Sequence, residues 1–196
     1  MTLFSSNDLV IKDPVKPQRG SVKTVGPSLM KIGRSRQKLE EVFGVINQDS
    51  SIHYASFGDW STHDLLFYLI QQTGPAKVYF TTWAISEFAI RQLYLFIEQG
   101  LILELKGIFD YRNGIRKPAE LQFLQKITTD IKPAKCHAKV TVIENDRWGI
   151  CVVGSANYTR NPRIEAGVLC SDRRVAMFHR DWILNELNDT SSFDKD

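Results

Sequence analysis

The alternation of hydrophobic and polar residues predicts helices and strands in turn from residue 41 onward. An apolar stripe at helical spacing follows Ser61 and Thr62, either of which can cap a helix, and the sequence TGPAK ends that helix. The stripe consists of Leu65, Leu66, Leu69 and Ile70. The apolar run VYFTTW at positions 78–83 then predicts a strand.

The rest of the chain continues this alternation and then changes to a hairpin. Ser86 can cap a second helix that Gly100 ends, and Pro118 fits the first turn of a third. A closing helix is predicted over residues 172–187. The inward positions of these helices are Ala89, Ile90, Leu93 and Ile97, then Leu121, Leu124 and Ile127, and finally Val175, Phe178, Trp182 and Ile183. The predicted strands are LILELKGIF, KVTVI, GICVVG and IEAGVLC, with a loop at 110–114 and a turn at ENDRW. These elements predict an α/β layered domain with a mixed sheet flanked by helices, without an internal repeat.

The first 40 residues differ in composition from the rest. They hold eight lysines and arginines against three acidic residues, a net charge of +5 in a chain of +3 overall, with no sustained apolar period. We therefore predict a basic, flexible extension over residues 1–40, one domain over residues 41–190 and a tail over residues 191–196. Such an extension either neutralises nucleic acid phosphates or only aids solubility, and composition leaves both open.

Composition also limits the class of protein. A chain of 196 residues with 43% hydrophobic and 24% charged residues is typical of a globular domain. It has no apolar run of about 18 residues and no signal-peptide pattern, so we expect a cytoplasmic protein without stable membrane association. The three cysteines are too few for a disulfide framework, and we expect reduced thiols in the core. They are Cys136, Cys151 and Cys170.

The stretch KCHAKV holds a histidine and a lysine two positions apart. Side chains at this spacing share one face of an extended strand, so His137 and Lys139 project together. Ala138 and Val140 are then expected to turn inward. An ammonium can bind a phosphate, and an imidazole can attack phosphorus or transfer protons near neutral pH. The pair suits an anion, although this spacing alone is also common on solvated strands.

A second polar group follows the next predicted strand. Gly154 permits a tight turn there, and Ser155 and Asn157 supply two short neutral donors suited to phosphate oxygens. Glu165 begins the following strand between apolar neighbours, where its carboxylate can accept a proton from His137 and fix the tautomer of the ring. The combination is much rarer than its parts and predicts a phosphate site.

The stretch from 135 to 157 resembles the signature of the phospholipase D superfamily, which is His-x-Lys, four residues, Asp, then Gly-Ser-x-Asn or Gly-Gly-x-Asn. The likeness covers roughly residues 50–188, and it is to the small bacterial nucleases with one such motif per chain rather than to the two-motif lipases. It implies a phospholipase D-like fold. The site residues that it implies are the nucleophile His137, the phosphate ligands Lys139, Ser155 and Asn157, and the orienting acid Glu165.

One position departs from the signature. Glu144 stands where the superfamily has aspartate, which keeps the charge and lengthens the side chain. It follows Lys139 by five positions, so in a continuous strand it faces away from the lysine. We therefore expect Glu144 to brace the turn rather than to contact substrate.

The resemblance also implies a homodimer. In this superfamily one histidine forms a covalent phosphohistidine while a second protonates the departing oxygen. The other histidines of the chain, His53, His63 and His179, do not lie in such a motif. Two copies of His137, one from each chain, would then meet at one phosphate. The same resemblance implies no metal ion and no cofactor, and the sequence shows no carboxylate cluster.

The predicted loops near this motif combine basic and aromatic residues, which favours a nucleic acid substrate. The candidate nucleic-acid-binding residues are Arg112, Arg116, Lys117, Tyr158, Arg160 and Arg163. The four tryptophans are scattered, and we assign them to the core or to turns. Three hypotheses remain: a metal-independent nuclease acting on DNA or RNA, a non-catalytic nucleic-acid-binding protein with this fold, and a lipid phosphodiesterase or phosphatidyl transferase.

Overall fold

The computed structural model describes residues 21–23, 28–33, 39–160 and 162–189. Within these residues nine strands form one mixed sheet, and six helices accompany it. The strands are β1 (Ser21–Lys23), β2 (Ser28–Gly33), β3 (Ser51–Phe57), β4 (Ala76–Thr82), β5 (Ile102–Asp110), β6 (Asp130–Ala134), β7 (Val140–Glu144), β8 (Gly149–Gly154) and β9 (Ile164–Cys170). The helices are α1 (Leu39–Phe43), α2 (Thr62–Thr73), α3 (Glu87–Glu98), α4 (Tyr111–Arg116), α5 (Pro118–Ile127) and α6 (Arg173–Asn188).

The sheet confirms the predicted α/β fold with a mixed sheet flanked by helices. Its strands lie in the order β1-β2-β3-β9-β8-β7-β4-β5-β6. The pairs β2–β3, β4–β5 and β5–β6 are parallel, whereas β3, β9, β8, β7 and β4 pair antiparallel with one another. The hairpin formed by β7 and β8 therefore occupies the middle of the sheet.

A hydrophobic core lies on each face of the sheet. The larger core buries the apolar sides of α1, α2, α3 and α5, and Leu69, Ile90 and Leu124 are completely inaccessible in it. The smaller core packs α6 on β4, β7 and β8 through Ala176 and Ile183. Removing this much apolar surface from water on both faces stabilises the sheet as a central layer.

Local sequence signals determine where α2 and α3 begin. Ser61 caps α2 through the Asp64 amide, which donates to its hydroxyl oxygen at 3.3 Å, while the Asp64 carboxylate accepts from the Ser61 amide at 3.0 Å. Gly74 ends α2 with a φ of 78°, a conformation that favours glycine. Ser86 caps α3 by accepting from the Ala89 amide at 3.3 Å. The predicted starts of both helices are confirmed.

The predicted loop at 110–114 is wrong, because α4 begins there. Asp110 ends β5, and its side chain accepts from the Arg112 amide at 3.1 Å. This bond caps the first turn of a short helix, although Asn113 and Gly114 are weak helix formers. The cap and the burial of these two residues outweigh their propensity.

Two predicted inward side chains are exposed instead. Phe178 is 66% exposed because it follows the buried Ala176 by two residues, which places it about 200° around the helix. Ala138 is exposed because the residues from 136 to 139 precede β7 and are not part of a strand. The alternation expected of a strand therefore begins only at Val140, which is buried as predicted.

Part of the basic extension joins the sheet. β1 pairs antiparallel with β2, and β2 pairs in parallel with β3. The extension therefore contributes two strands, which its lack of an apolar period did not indicate. Residues 1–20, 24–27 and 34–38 of the extension and the predicted tail at 191–196 lie outside the described residues. The flexibility of the extension stays a prediction.

Cys136 and Cys151 are buried, Cys170 is partly buried, and all three are free. In the part of the chain that the structure describes, no helix is long and apolar enough to cross a lipid bilayer.

Candidate active site

The pairing of β7 with β8 brings the two parts of the predicted phosphate site together. Val140 pairs with Val153, and the Gly154 amide donates to the Lys139 carbonyl oxygen at 3.1 Å. The His-x-Lys segment precedes β7 and the Ser-x-Asn segment follows β8. Because the two strands are antiparallel, both segments lie at the same end of the hairpin, which we call its open end.

Gly154 is required by close packing and not by a tight turn. A Cβ atom at this position would lie 2.9 Å from the Ala166 carbonyl oxygen and 3.4 Å from Tyr54 Oη. The Gly154 backbone is not among those with positive φ. The glycine therefore lets β8 approach β9 where the Ser-x-Asn segment begins.

Ser155 and Glu165 form a hydrogen-bonded pair between the ends of β8 and β9. The Ser155 hydroxyl donates to Glu165 Oε2 and accepts from the Ala166 amide at 3.1 Å. The Ser155 amide donates to the Ala166 carbonyl oxygen at 2.9 Å, which continues the pairing of the two strands. The hydrogen bonds of Glu165 thus go to Ser155, and no bond joins it to His137 in the described structure.

Asn157 holds the segment that follows β4. Its Oδ1 atom accepts from the Trp83 and Ala84 amides, each at 3.2 Å. The hydroxyl of Thr62 donates to the Asn157 carbonyl oxygen at 3.0 Å, which attaches the same residue to the start of α2. Two amides at Oδ1 fix the orientation of the side chain, so Nδ2 points the other way.

His137 and Lys139 lie at the open end with different degrees of exposure. The His137 side chain is exposed, and its ring centroid lies 6.3 Å from that of Trp83. Lys139 is partly buried, and its Nζ donates to the His137 carbonyl oxygen at 2.6 Å. This burial lowers the pKa of Lys139, while the negative charges of Glu165 and Asp110 act in the opposite direction.

Asp110 is a site residue that the sequence analysis missed. Its side chain is completely buried, and it accepts from the Cys136 amide at 3.2 Å, directly before His137. It also binds the Arg112 guanidinium through two bonds of 3.0 and 3.1 Å. Burial alone would raise the pKa of Asp110, but the bonds and charge of Arg112 outweigh it and the pKa is lowered. An acid at the end of a predicted buried strand, two residues before an arginine, was the available signal.

The other three imidazoles make their contacts elsewhere. His63 is buried at the start of α2, 2.9 Å from the Ser61 hydroxyl. His179 lies on α6, where its Nδ1 accepts from Trp182 Nε1 at 3.0 Å and burial lowers its pKa. His53 is exposed on β3. None of the ring contacts of His137 in the described residues is with a second imidazole.

Glu144 lies at the opposite end of β7. Its Oε1 accepts from Arg180 Nη1 at 2.6 Å, and the two side chains are 16% and 22% exposed. The contact attaches the end of β7 to α6. Glu144 lies away from the His-x-Lys segment because it is at the other end of β7, and strand alternation does not explain this, since Lys139 is not in the strand. The residue that it binds lies on a helix and not in the turn.

The structure separates the candidate nucleic-acid-binding residues. The assignment of Tyr158 is wrong: its ring is buried against Phe80 at 5.4 Å, and its hydroxyl lies 2.7 Å from the Thr141 hydroxyl. Burial raises the pKa of Tyr158. An aromatic residue between polar neighbours is here part of the core, because the loop turns it inward beside β4 and β7. The exposed candidates are Arg112, Arg116, Lys117, Arg160 and Arg163.

The open end therefore holds an exposed imidazole, an ammonium, a hydroxyl and a side-chain amide within one small region. These groups can bind the oxygens of a phosphate and attack its phosphorus. Among the residues that the structure describes, no three His, Cys, Asp or Glu side chains are grouped as metal ligands.

The sequence matches no protein-family model and no curated protein. Its structure is similar to that of Nuc from Salmonella typhimurium, a phospholipase D family member, with a TM-score of 0.52 and 14% identity. The similarity covers 73% of this chain and 99% of Nuc. The chain thus has a phospholipase D-like fold, as the His-x-Lys signature implied.

Two other solved structures are similar at lower scores. Polyphosphate kinase from Porphyromonas gingivalis has a TM-score of 0.49 at 16% identity over 78% of this chain and 28% of the kinase. TrmBL2, an archaeal chromatin protein, has a TM-score of 0.45 at 10% identity over 77% of this chain and 58% of TrmBL2.

Proposed function

We propose that this chain is a phosphodiesterase of the phospholipase D type that hydrolyses DNA or RNA without a metal ion. The observation that carries the proposal is the convergence of the two motif segments at the open end of the β7–β8 hairpin. The two segments are separate in sequence, and at this end an exposed imidazole accompanies an ammonium, a hydroxyl and an amide, which are groups suited to phosphate oxygens. A protein that only binds phosphate needs no such imidazole, so the arrangement favours catalysis.

The proposed reaction has two steps at one phosphorus. In the first, a ring nitrogen of His137 attacks phosphorus, the bond to the leaving oxygen breaks, and that oxygen takes a proton from a second imidazolium. In the second, the neutral second imidazole takes a proton from water while the water oxygen attacks phosphorus. The phosphorus–nitrogen bond then breaks and His137 is restored.

The neighbours of His137 stabilise the charge that develops. Lys139 exchanges its bond with the His137 carbonyl oxygen for a phosphate oxygen, and Asn157 offers Nδ2 from a fixed side chain. The Ser155 hydroxyl also donates to a phosphate oxygen. Glu165 is then released from that hydroxyl and can accept from the imidazolium, as an orienting acid does.

The second imidazole is proposed to be His137 of a second copy of the chain. His53, His63 and His179 have other surroundings, and His63 and His179 are held by hydrogen bonds within the fold. A two-fold dimer about the open end would bring two His137 side chains to one phosphate. The exposure of His137 leaves it accessible to such a partner.

A nucleic acid is favoured as substrate by the exposed cations near the site. Arg160 and Arg163 follow the Ser-x-Asn segment, and Arg112 is held two residues after the end of β5. Arginines that bind phosphates in this way position a strand without selecting its sequence. Tyr158 does not contribute, because it is buried.

The first test compares wild type with His137→Ala in EDTA on single- and double-stranded DNA and RNA and on phosphatidylcholine vesicles. We expect nucleic acid cleavage that falls by about 10³-fold or more in the variant. His53→Ala, an exposed histidine on β3, is the matched control and should cleave like wild type. Binding without cleavage of any nucleic acid would identify a non-catalytic binding protein, and cleavage of the vesicle lipid alone would identify a lipid phosphodiesterase.

A mixing experiment tests the shared site. Wild-type subunits are exchanged with an excess of His137→Ala subunits, and the mass in solution is measured alongside activity. If each site needs one histidine from each copy, activity falls as the square of the wild-type fraction. A linear fall, or full activity in a monomer, contradicts the shared site and leaves the phosphodiesterase proposal to the first test.

A further inference from the structure

Trp83 stands beside the candidate nucleophile and is not a core residue. The residue is partly exposed, and its ring centroid lies 6.3 Å from that of His137 with a 55° angle between the planes. It follows β4 directly, at the open end of the hairpin. The sequence analysis assigned the tryptophans to the core or to turns, and the structure places this one at the candidate active site.

The main chain of Trp83 is held from both sides. Its amide donates to Asn157 Oδ1 at 3.2 Å, and its carbonyl oxygen accepts from Asn113 Nδ2. Asn113 is 7% exposed in α4, so this second support comes from the interior. A backbone fixed in this way limits the positions that the ring can take before any ligand arrives, which lowers the entropy lost on binding.

A second aromatic contact lies farther along, between the loop after β8 and the first turn of α3. The loop after β4 and the loop after β8 run side by side. The Tyr158 amide donates to the Ala84 carbonyl oxygen at 3.2 Å, and the Ser86 amide donates to the Tyr158 carbonyl oxygen at 2.9 Å. Beyond them, the Arg160 guanidinium stacks over Phe88 at 4.4 Å, and Phe88 is 40% exposed. The two loops thus carry an aromatic ring at the nucleophile and a stacked cation beyond it.

A separate groove also reaches His137 and carries charges of both signs. It is lined by Lys135, Glu186 and Asp189, and by Trp182, whose indole donates to His179. Glu186 pairs with Lys132 at 2.9 Å, so the charges of these two side chains offset each other. Charge therefore does not select this groove, and the Trp83 side is favoured because the ring contact of His137 is with Trp83.

We propose that Trp83 is a stacking surface for a base next to the scissile phosphate, which makes the substrate a nucleic acid with unpaired bases. In a duplex the faces of a base are covered by its neighbours, whereas a single strand can turn one face onto an aromatic ring. Trp83 thereby sets specificity without taking part in bond making. The inference rests on the proposed function and names the substrate form within it.

The stacking is tested without catalysis, in the His137→Ala background. Tryptophan fluorescence is measured during titration with a single-stranded oligothymidylate, the same strand with abasic residues, and a duplex. We expect quenching by the intact single strand alone, and its loss when Trp83→Phe is added. Trp148→Phe, at the turn end of the β7–β8 hairpin, is the matched control and keeps the quenching. Quenching that disappears with Trp182→Phe instead overturns the assignment.

Affinity and turnover give a second readout. Trp83→Leu should weaken binding of the intact single strand by about 10-fold or more and leave binding of the abasic strand unchanged. In the otherwise wild-type enzyme, the same substitution should remove any preference for single strands. Equal loss on intact and abasic strands would mean a structural role only and overturns the inference.

The failures of the two proposals are distinguishable. Quenching at Trp83 without cleavage of any strand supports the stacking surface and refutes the phosphodiesterase. Cleavage that depends on His137 but is unaffected by Trp83→Leu refutes the stacking surface and supports the phosphodiesterase.

Discussion

The two ends of the β7–β8 hairpin use the same kinds of side chain differently. At the turn end, both the nitrogen and the oxygen of the Asn145 side-chain amide are hydrogen-bonded. Nδ2 donates to the Thr73 and Pro75 carbonyl oxygens, each at 3.1 Å. Oδ1 accepts from the Arg147 and Trp148 amides at 3.0 and 2.9 Å. At the open end, the hydrogen bonds of Asn157 to the residues that the structure describes are made by its two oxygens, and none of them uses Nδ2.

The acids at the two ends differ in the same way. Glu144 is paired with the guanidinium of Arg180, a contact that joins a strand to a helix. Glu165 is bonded to a hydroxyl, Ser155, which is itself exposed. Polar groups at the turn end are therefore matched to one another, while those at the open end retain the capacity to bind a further group. The polar groups at the turn end thus stabilise the fold, and those at the open end are the candidates for binding and catalysis.

Among the substitutions that compare the two ends, the largest expected effect is that of Asn157→Asp. The carboxylate still accepts from the Trp83 and Ala84 amides, but the donor at Nδ2 is replaced by a negatively charged oxygen. We expect the kcat/KM for nucleic acid cleavage to fall by about 10²-fold or more, with little change in the free energy of unfolding. Steady-state kinetics and urea denaturation measure the two quantities.

Asn145→Asp is the matched variant at the turn end. It loses both donors and places a carboxylate against two carbonyl oxygens, so stability should fall while the kcat/KM at low temperature is retained. Similar behaviour of the two variants would show that the ends do not differ as described.

Asp110→Asn should lower both stability and activity. The substitution removes the charge-assisted character of the bonds to Arg112 and loosens the segment before His137. Activity should fall mainly in kcat, because His137 is no longer held in one place. If kcat and the pH dependence of stability both stay as in wild type, Asp110 has no positioning role.

The pH dependence gives the specific readout for Asp110. Its pKa is lower in the folded protein than the ordinary 3.8, so its stabilising contribution is fully present above about pH 4 and is lost as the pH falls through the lowered pKa. Asp110→Asn should lack this part of the acid-induced loss of stability. Urea denaturation of both proteins between pH 6 and pH 3 measures the difference.

Glu144→Gln should destabilise the fold without affecting catalysis. The ion pair with Arg180 is partly buried, and breaking it should cost about 1–2 kcal/mol in the free energy of unfolding. The matched variant at the open end, Glu165→Gln, should lose activity at nearly unchanged stability. Loss of turnover in a fully folded Glu144→Gln protein would contradict the assignment of this acid to bracing.

The smallest expected effect is that of Tyr158→Phe. It removes one buried hydroxyl that is paired with Thr141, which should cost about 1 kcal/mol in stability. Nucleic acid affinity, measured by fluorescence anisotropy, should not change. An affinity loss in Tyr158→Phe would show that this residue belongs to the binding surface.

Arg160→Ala, two residues on, should weaken that affinity and reduce its dependence on salt.

Sequence reasoning succeeded where a signal is local. The caps Ser61 and Ser86, the stop at Gly74 and the apolar stripes all describe contacts within one turn or one face of an element, so the pattern contains them. It failed at Asp110, whose role depends on Cys136, 26 positions away. It failed at Tyr158 for the same reason, since the inward turn of this ring is set by packing on Phe80 in a strand distant in sequence.

By itself, the sequence determined the layered α/β fold and the two motif segments, because helical and strand periods and short spacings are properties of neighbouring residues. Only the tertiary structure decided which polar groups at the hairpin are hydrogen-bonded to one another and which remain able to bind a further group. It also decided that Trp83 stands beside His137. Hydrogen bonding and burial join residues that are far apart in the chain, and whether a donor is satisfied is known only when its partner's position is known.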